Sequence, residues 1–122
     1  MKIYFLDNKI IGANIIDYSS EKLPYYPASN IKASSTKSRW RTDGLQIGNE
    51  FITFDLASSK SMEYFQALGS NIPDEASVKI ELADSSDFLT GLVSYNMTGA
   101  EFKAGKFFTS VQKRFLRFKI YG

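Results

Sequence analysis

The sequence predicts an all-β fold, an antiparallel sandwich or barrel, and three observations carry that prediction. Apolar residues recur with period two in several short runs. Turn-forming residues interrupt those runs at short intervals. No long window sustains the i, i+3, i+4, i+7 apolar stripe of an amphipathic helix.

Taken in order, residues 2–6 open the chain as a weak strand. Residues 21–30 hold Pro24 and Pro27, too proline-rich for a central strand, and read as an extended loop anchored by Tyr25 and Tyr26. In Phe51-Ile52-Thr53-Phe54-Asp55-Leu56, the residues Ile52, Phe54 and Leu56 share one face and Thr53 and Asp55 the other. Val78-Lys79-Ile80-Glu81-Leu82 alternates more cleanly, with Lys79 and Glu81 outward. In the run from Phe115 to Tyr121, Leu116, Phe118 and Ile120 point in, Arg117 and Lys119 out. Weaker strands fall at 62–68, 92–97 and 107–111. Asp43-Gly44, Gly48-Asn49, Ala57-Ser58-Ser59, Pro73-Asp74, Asp84-Ser85-Ser86-Asp87 and Gly105 read as breaks between them. The predicted inner lining is Ile52, Phe54, Leu56, Val78, Ile80, Leu82, Leu116, Phe118 and Ile120.

At 122 residues, the chain is expected to form a single domain, 1–122, with one core. It has no Cys and no His, which excludes a Ser-His-Asp triad, a thiolate nucleophile, and zinc or iron–sulfur sites built on those ligands. The expectation is a protein that is not an enzyme and needs no cofactor. Asp84 and Asp87 are close, but Asp-Ser-Ser-Asp is turn composition rather than an acid/base pair. A calcium site needs six to eight oxygens, and scattered acids such as Asp17 and Asp43 do not supply them. No metal site is predicted.

Lys+Arg number 15 against 13 Asp+Glu, a formal charge of +2, too little to argue for nucleic acid. The distribution is uneven. Lys32, Lys37, Arg39 and Arg41 form one acid-free stretch, and Lys103, Lys106, Lys113, Arg114, Arg117 and Lys119 another; residues 74–87 hold five acids against Lys79 alone. Each basic stretch is either a solvated face or a surface that steers a partner. The apolar run Ile3-Tyr4-Phe5-Leu6 is too short for a signal-peptide core or a bilayer span, so synthesis in the cytoplasm and no membrane partner are expected.

Several motifs then occur in a familiar order: Tyr26-Pro27-Ala28-Ser29-Asn30, Ser38-Arg39-Trp40-Arg41-Thr42, Phe54-Asp55-Leu56, Leu68-Gly69-Ser70-Asn71 and Arg114-Phe115-Leu116-Arg117-Phe118. From about Tyr25 to Gly122 the chain resembles the discoidin, or coagulation factor 5/8 type C, family, and within it the stand-alone domains of tailed bacteriophages and prophages. Those carry a Leu-Gly-His-Asn corner where this chain has Ser70. The resemblance implies a galactose-binding-like jelly-roll sandwich of about eight strands, with residues 1–21 as an N-terminal strand and connection. It also implies a non-catalytic virion component made in the host cytoplasm. Such a module decorates the capsid, or serves the tail or baseplate, binding other virion proteins in multiple copies. The alternative is a module that recognises a cell-surface glycan.

Candidate ligand-binding residues are Tyr25, Tyr26, Arg39, Arg41 and Asn71. Tyr25 and Tyr26, stiffened by flanking prolines, either stack on a sugar or cap an edge of the core. Arg39 and Arg41 pair with acids such as Asp43 or Asp55, or contact a partner. Trp40 plugs the core or serves as a sugar platform. Asn71 most simply closes its own turn. Tyr95, Phe107 and Phe108 are further aromatic candidates.

Overall fold

The structure is a computed structural model that describes residues 2–4, 13–19, 50–68 and 72–121. These form strands β1 (Lys2–Tyr4), β2 (Asn14–Tyr18), β3 (Glu50–Leu68), β4 (Ser77–Ala83) and β5 (Val93–Thr98), helix α1 (Gly99–Ala104) and strand β6 (Lys106–Tyr121). Every pairing is antiparallel, in the order β1-β3-β6-β4-β5, with β2 also on β3. The all-β, antiparallel expectation therefore holds.

Among the described residues two pairs of expected strands merge, and the reason is local. The expected strands at 51–56 and 62–68 are one continuous β3, and those at 107–111 and 115–121 are one β6. Ala57-Ser58-Ser59 does not break the chain but bulges it: residues 56–59 stand opposite Arg114 alone, with Ala57 at φ 70°. A second irregularity sets residues 108–110 opposite Glu63. Bulges bend a strand and raise its twist. Here they fold the β3–β6 pair back over itself. Phe65, next to the β6 start, thus packs 6.1 Å from Phe118, which pairs with Ile52 and Ile80 at the other end.

Of the nine predicted core residues, all but Ile120 are buried, and Ile120 packs half-buried against the same cluster. Burying each such side chain contributes about 1.5–3 kcal/mol before the entropy of ordering it. Met62, Phe65, Met97 and Phe102 are among the residues that join them in this core. Helix α1 escapes a periodicity search because it has six residues and one large apolar anchor, Phe102, stacked 5.5 Å from Phe118. A capping box holds it: Thr98 Oγ1 accepts the Glu101 amide at 3.1 Å, and Glu101 Oε1 accepts the Thr98 amide at 3.0 Å.

The predicted turn at 84–87 is present. Asp87 Oδ1 accepts from Ser85 Oγ at 2.6 Å and from the Leu89 amide at 3.0 Å, which holds its carboxyl below the usual range. Phe88 tucks under the sheet's outer face, its ring 4.1 Å from the Arg117 guanidinium.

Candidate functional site

Tyr25, Tyr26, Arg39, Arg41 and Asn71, with Trp40 and Asp43, lie outside the described residues. Asp55, one expected partner for Arg39 or Arg41, is engaged elsewhere. Arg114 Nε and Nη2 donate to its Oδ1 and Oδ2 at 2.8 and 3.0 Å, and the Ala57 amide donates to Oδ1 at 2.8 Å. The β3 bulge causes this, because it leaves Arg114 facing a widened stretch of β3 beside Asp55. The Arg114 hydrogen bonds lower the Asp55 pKa and raise that of Arg114.

The aromatic candidates separate into two groups. Tyr95 and Phe108 stack on each other at 4.2 Å and 21°, and Tyr95 Oη donates to the Thr109 carbonyl at 3.2 Å. Phe65 and the Lys106 ammonium crowd Phe108 further, so this pair forms the rim of the core rather than an open platform. Phe107 is different. The residue is 66% exposed, and its ring lies 4.6 Å from that of Tyr64, its register partner on β3. Tyr64 is fixed in turn: its Oη donates to Gln66 Oε1 at 2.8 Å, and Gln66 Nε2 donates to the Lys103 and Ala104 carbonyls at the end of α1. Gly105 makes room for this arrangement. Its φ is 92°, and a Cβ there would lie 1.9 Å from Tyr64 Oη. The sequence shows Phe107 as a candidate but not Tyr64, because their pairing is a property of register.

A second feature is a shallow cleft of about 620 Å³ where β4, β5, β6 and α1 meet. Ser77, Lys79, Asn96, Thr98, Glu101 and Tyr121 line it, together with Val78 and Met97. Glu101 is already satisfied, since Oε2 pairs with Lys106 at 2.5 Å. That contact, with the Thr98 amide, lowers its pKa.

Three further acids are engaged by bases. Asp84 pairs with Lys113 at 3.0 Å and Asp74 with Lys103 at 2.5 Å. Glu81, only 6% exposed, receives Arg117 and Lys119, each at 3.1 Å. All six bases between Lys103 and Lys119 thus meet acids, three of which come from the 74–87 run. Four of these bases, Lys103, Lys113, Arg117 and Lys119, thus pair with acids of the 74–87 run. Among the described residues no group of three or more His, Cys, Asp or Glu is placed to hold a metal ion. Among the described residues the arrangement offers a stacking surface and hydrogen-bonding groups.

No protein-family model and no curated protein matches the sequence. Solved structures do. A mutant of chitosan-binding module 1 from a chitosanase/glucanase of Paenibacillus sp. IK-5 superposes with TM-score 0.69 at 20% identity, over 92% of this chain and 97% of that one. Chitosan-binding module 2 of the same enzyme, solved with chitotriose, gives 0.65 at 14% identity, over 93% and 87%. The CBM32 module of AlyQ, solved with 4,5-unsaturated mannuronic acid, gives 0.63 at 21% identity, over 89% and 84%. At these identities the likeness speaks to the fold, a galactose-binding-like β-sandwich.

Proposed function

We propose that this chain is a non-catalytic carbohydrate-binding module. The observation that carries the reading is the superposition of about nine-tenths of the chain on modules solved with sugars bound, mannuronate in one case and chitotriose in another. The chain's own surface supports it. Phe107 presents an open ring held rigid from behind by Tyr64, and a preformed aromatic face with a few polar groups is how sugars are commonly seated. Tyr25 and Tyr26 are proposed as a second aromatic contact, and Arg39, Arg41 and Asn71 as polar ligand-binding groups.

The virion role rests on the phage resemblance of the sequence, and none of these three structures is described as a virion protein. Glycan binding accommodates it, as a module displayed on a particle for host attachment, and co-sedimentation with particles tests that display. The function itself is tested on a glycan array with the full chain, followed by titration of the best ligand. Binding is expected. Phe107→Ala, or the double change Tyr25→Ala and Tyr26→Ala, is expected to weaken it about tenfold, equivalent to about 1.4 kcal/mol. A folded chain that binds no uronate, amino-sugar or galactose-containing glycan at millimolar concentration overturns the reading.

A further inference from the structure

One part of the surface departs from the charge neutralisation seen elsewhere. Where β6, β4 and β5 lie side by side, the outward residues form cross-strand rows: Tyr121–Ser77–Thr98, then Lys119–Lys79–Asn96, then Arg117–Glu81–Ser94. These rows carry three cations and one carboxylate. Glu81 is taken by Arg117 and Lys119. Lys79 sits directly opposite Lys119 and makes no ion pair with any described residue. Like charges facing each other across adjacent strands are unfavourable, and an anion bound beside Lys79 relieves that repulsion.

The cleft opens over the first two of these rows. Its size, about 620 Å³, lies in the range of small-ligand sites. Glu101 at its margin adds no uncompensated charge, because one oxygen accepts the Thr98 amide and the other pairs with Lys106. Asn96 and Ser77 flank Lys79 and Tyr121 with an amide and a hydroxyl, and no described residue hydrogen-bonds either side chain. The groups presented are therefore one ammonium, two neutral hydrogen-bonding groups and one half-buried aromatic ring.

We infer that this cleft is a subsite for an anionic sugar, a pyranose bearing a carboxylate or sulfate. Lys79 receives the acid group, Asn96 and Ser77 take ring hydroxyls, and the Tyr121 ring forms the apolar wall. The inference rests on the carbohydrate-binding reading and adds a charge class and a location to it. The cleft is made by β4, β5, β6 and α1 and does not include Phe107, so the two surfaces are separable by mutation.

The test is calorimetric titration of the full chain with three trisaccharide probes: a uronate, a sulfated sugar and a neutral N-acetylated sugar. Affinity for an acidic probe is expected to fall about tenfold in Lys79→Ala, and several-fold in Asn96→Ala, as lost charge-assisted and neutral hydrogen bonds do. Lys79→Arg is expected to retain most of the binding, and raising salt from about 50 to about 500 mM to weaken it. Preference for the sulfated over the uronate probe, with the same Lys79 dependence, supports the subsite and identifies the acid group as sulfate. Unchanged binding of both acidic probes by Lys79→Ala and Asn96→Ala, or equal binding of the neutral probe, overturns the subsite while the carbohydrate-binding reading stands. Failure of the unmodified chain to bind any of the three probes or any array glycan overturns both.

Discussion

Glu81 is the only buried charge among the described residues, and two cations depend on it. Burial pushes its carboxyl up, but the hydrogen bonds from Arg117 and Lys119 outweigh that and leave it below the ordinary value. Glu81→Gln keeps the shape and removes the charge, so Arg117, Lys119 and Lys79 are left to repel one another. Both partners keep about a quarter of their side-chain surface (24% and 27%), so water reclaims part of the loss. The expected destabilisation is about 1–3 kcal/mol, read from the urea midpoint. A change below about 0.5 kcal/mol, the level of an ordinary surface substitution, contradicts this account. The outward direction of Glu81 was legible in the alternation of Val78 to Leu82. Its burial was not, because alternation assigns a face and says nothing of what covers it. Here flanking Arg117 and Lys119 crowd it, and Phe88 reaches in from the 84–92 turn against Arg117.

At the scale of an element, β3 shows what a local reading captures and what it misses. The apolar alternation of Ile52, Phe54 and Leu56 places their side chains correctly, and the small residues Ala57, Ser58 and Ser59 mark a real discontinuity. Whether such a discontinuity turns the chain or merely bulges it depends on the partner strand. With β6 continuing alongside, the ladder resumes at Lys60 and Lys113, and two expected strands become one. Helix α1 is missed for a related reason, since a six-residue helix held by a cap has too few residues to display a period. The bulge itself makes a prediction. Ala57 sits at φ 70°, a conformation that costs an L-residue roughly 1–2 kcal/mol and glycine little. Ala57→Gly is therefore expected to stabilise the fold by about 0.5–1 kcal/mol, after the added freedom of the unfolded chain is counted, and so to raise the midpoint of thermal unfolding. Ala57→Val, β-branched and intolerant of that φ, is expected to lower it. The reverse order of these two variants rules out the bulge conformation.

For the whole molecule, four carboxyls that accept hydrogen bonds in the fold fix how the molecule answers acid. Arg114 holds Asp55 below the ordinary carboxylate range, Ser85 and the Leu89 amide do the same for Asp87, and Lys106 and the Thr98 amide for Glu101; Glu81 joins them. A carboxyl whose pKa is lower folded than unfolded binds fewer protons in the native state across the interval between the two values. Stability therefore rises with pH through that interval. The contribution is complete above the unfolded values, roughly 3.9 for Asp and 4.3 for Glu, and drains away as pH falls through the lower folded ones. With no His and no Cys, no side chain with an ordinary pKa near neutrality adds a second slope. Urea midpoints are thus expected to be nearly level from about pH 6 to 8 and to fall progressively below about pH 5. Asp55→Asn is expected to flatten the acid limb by removing one of the four groups. A midpoint that rises on acidification, or an acid limb unaltered by both Asp55→Asn and Glu81→Gln, is incompatible with these pairs holding their protons off in the folded chain.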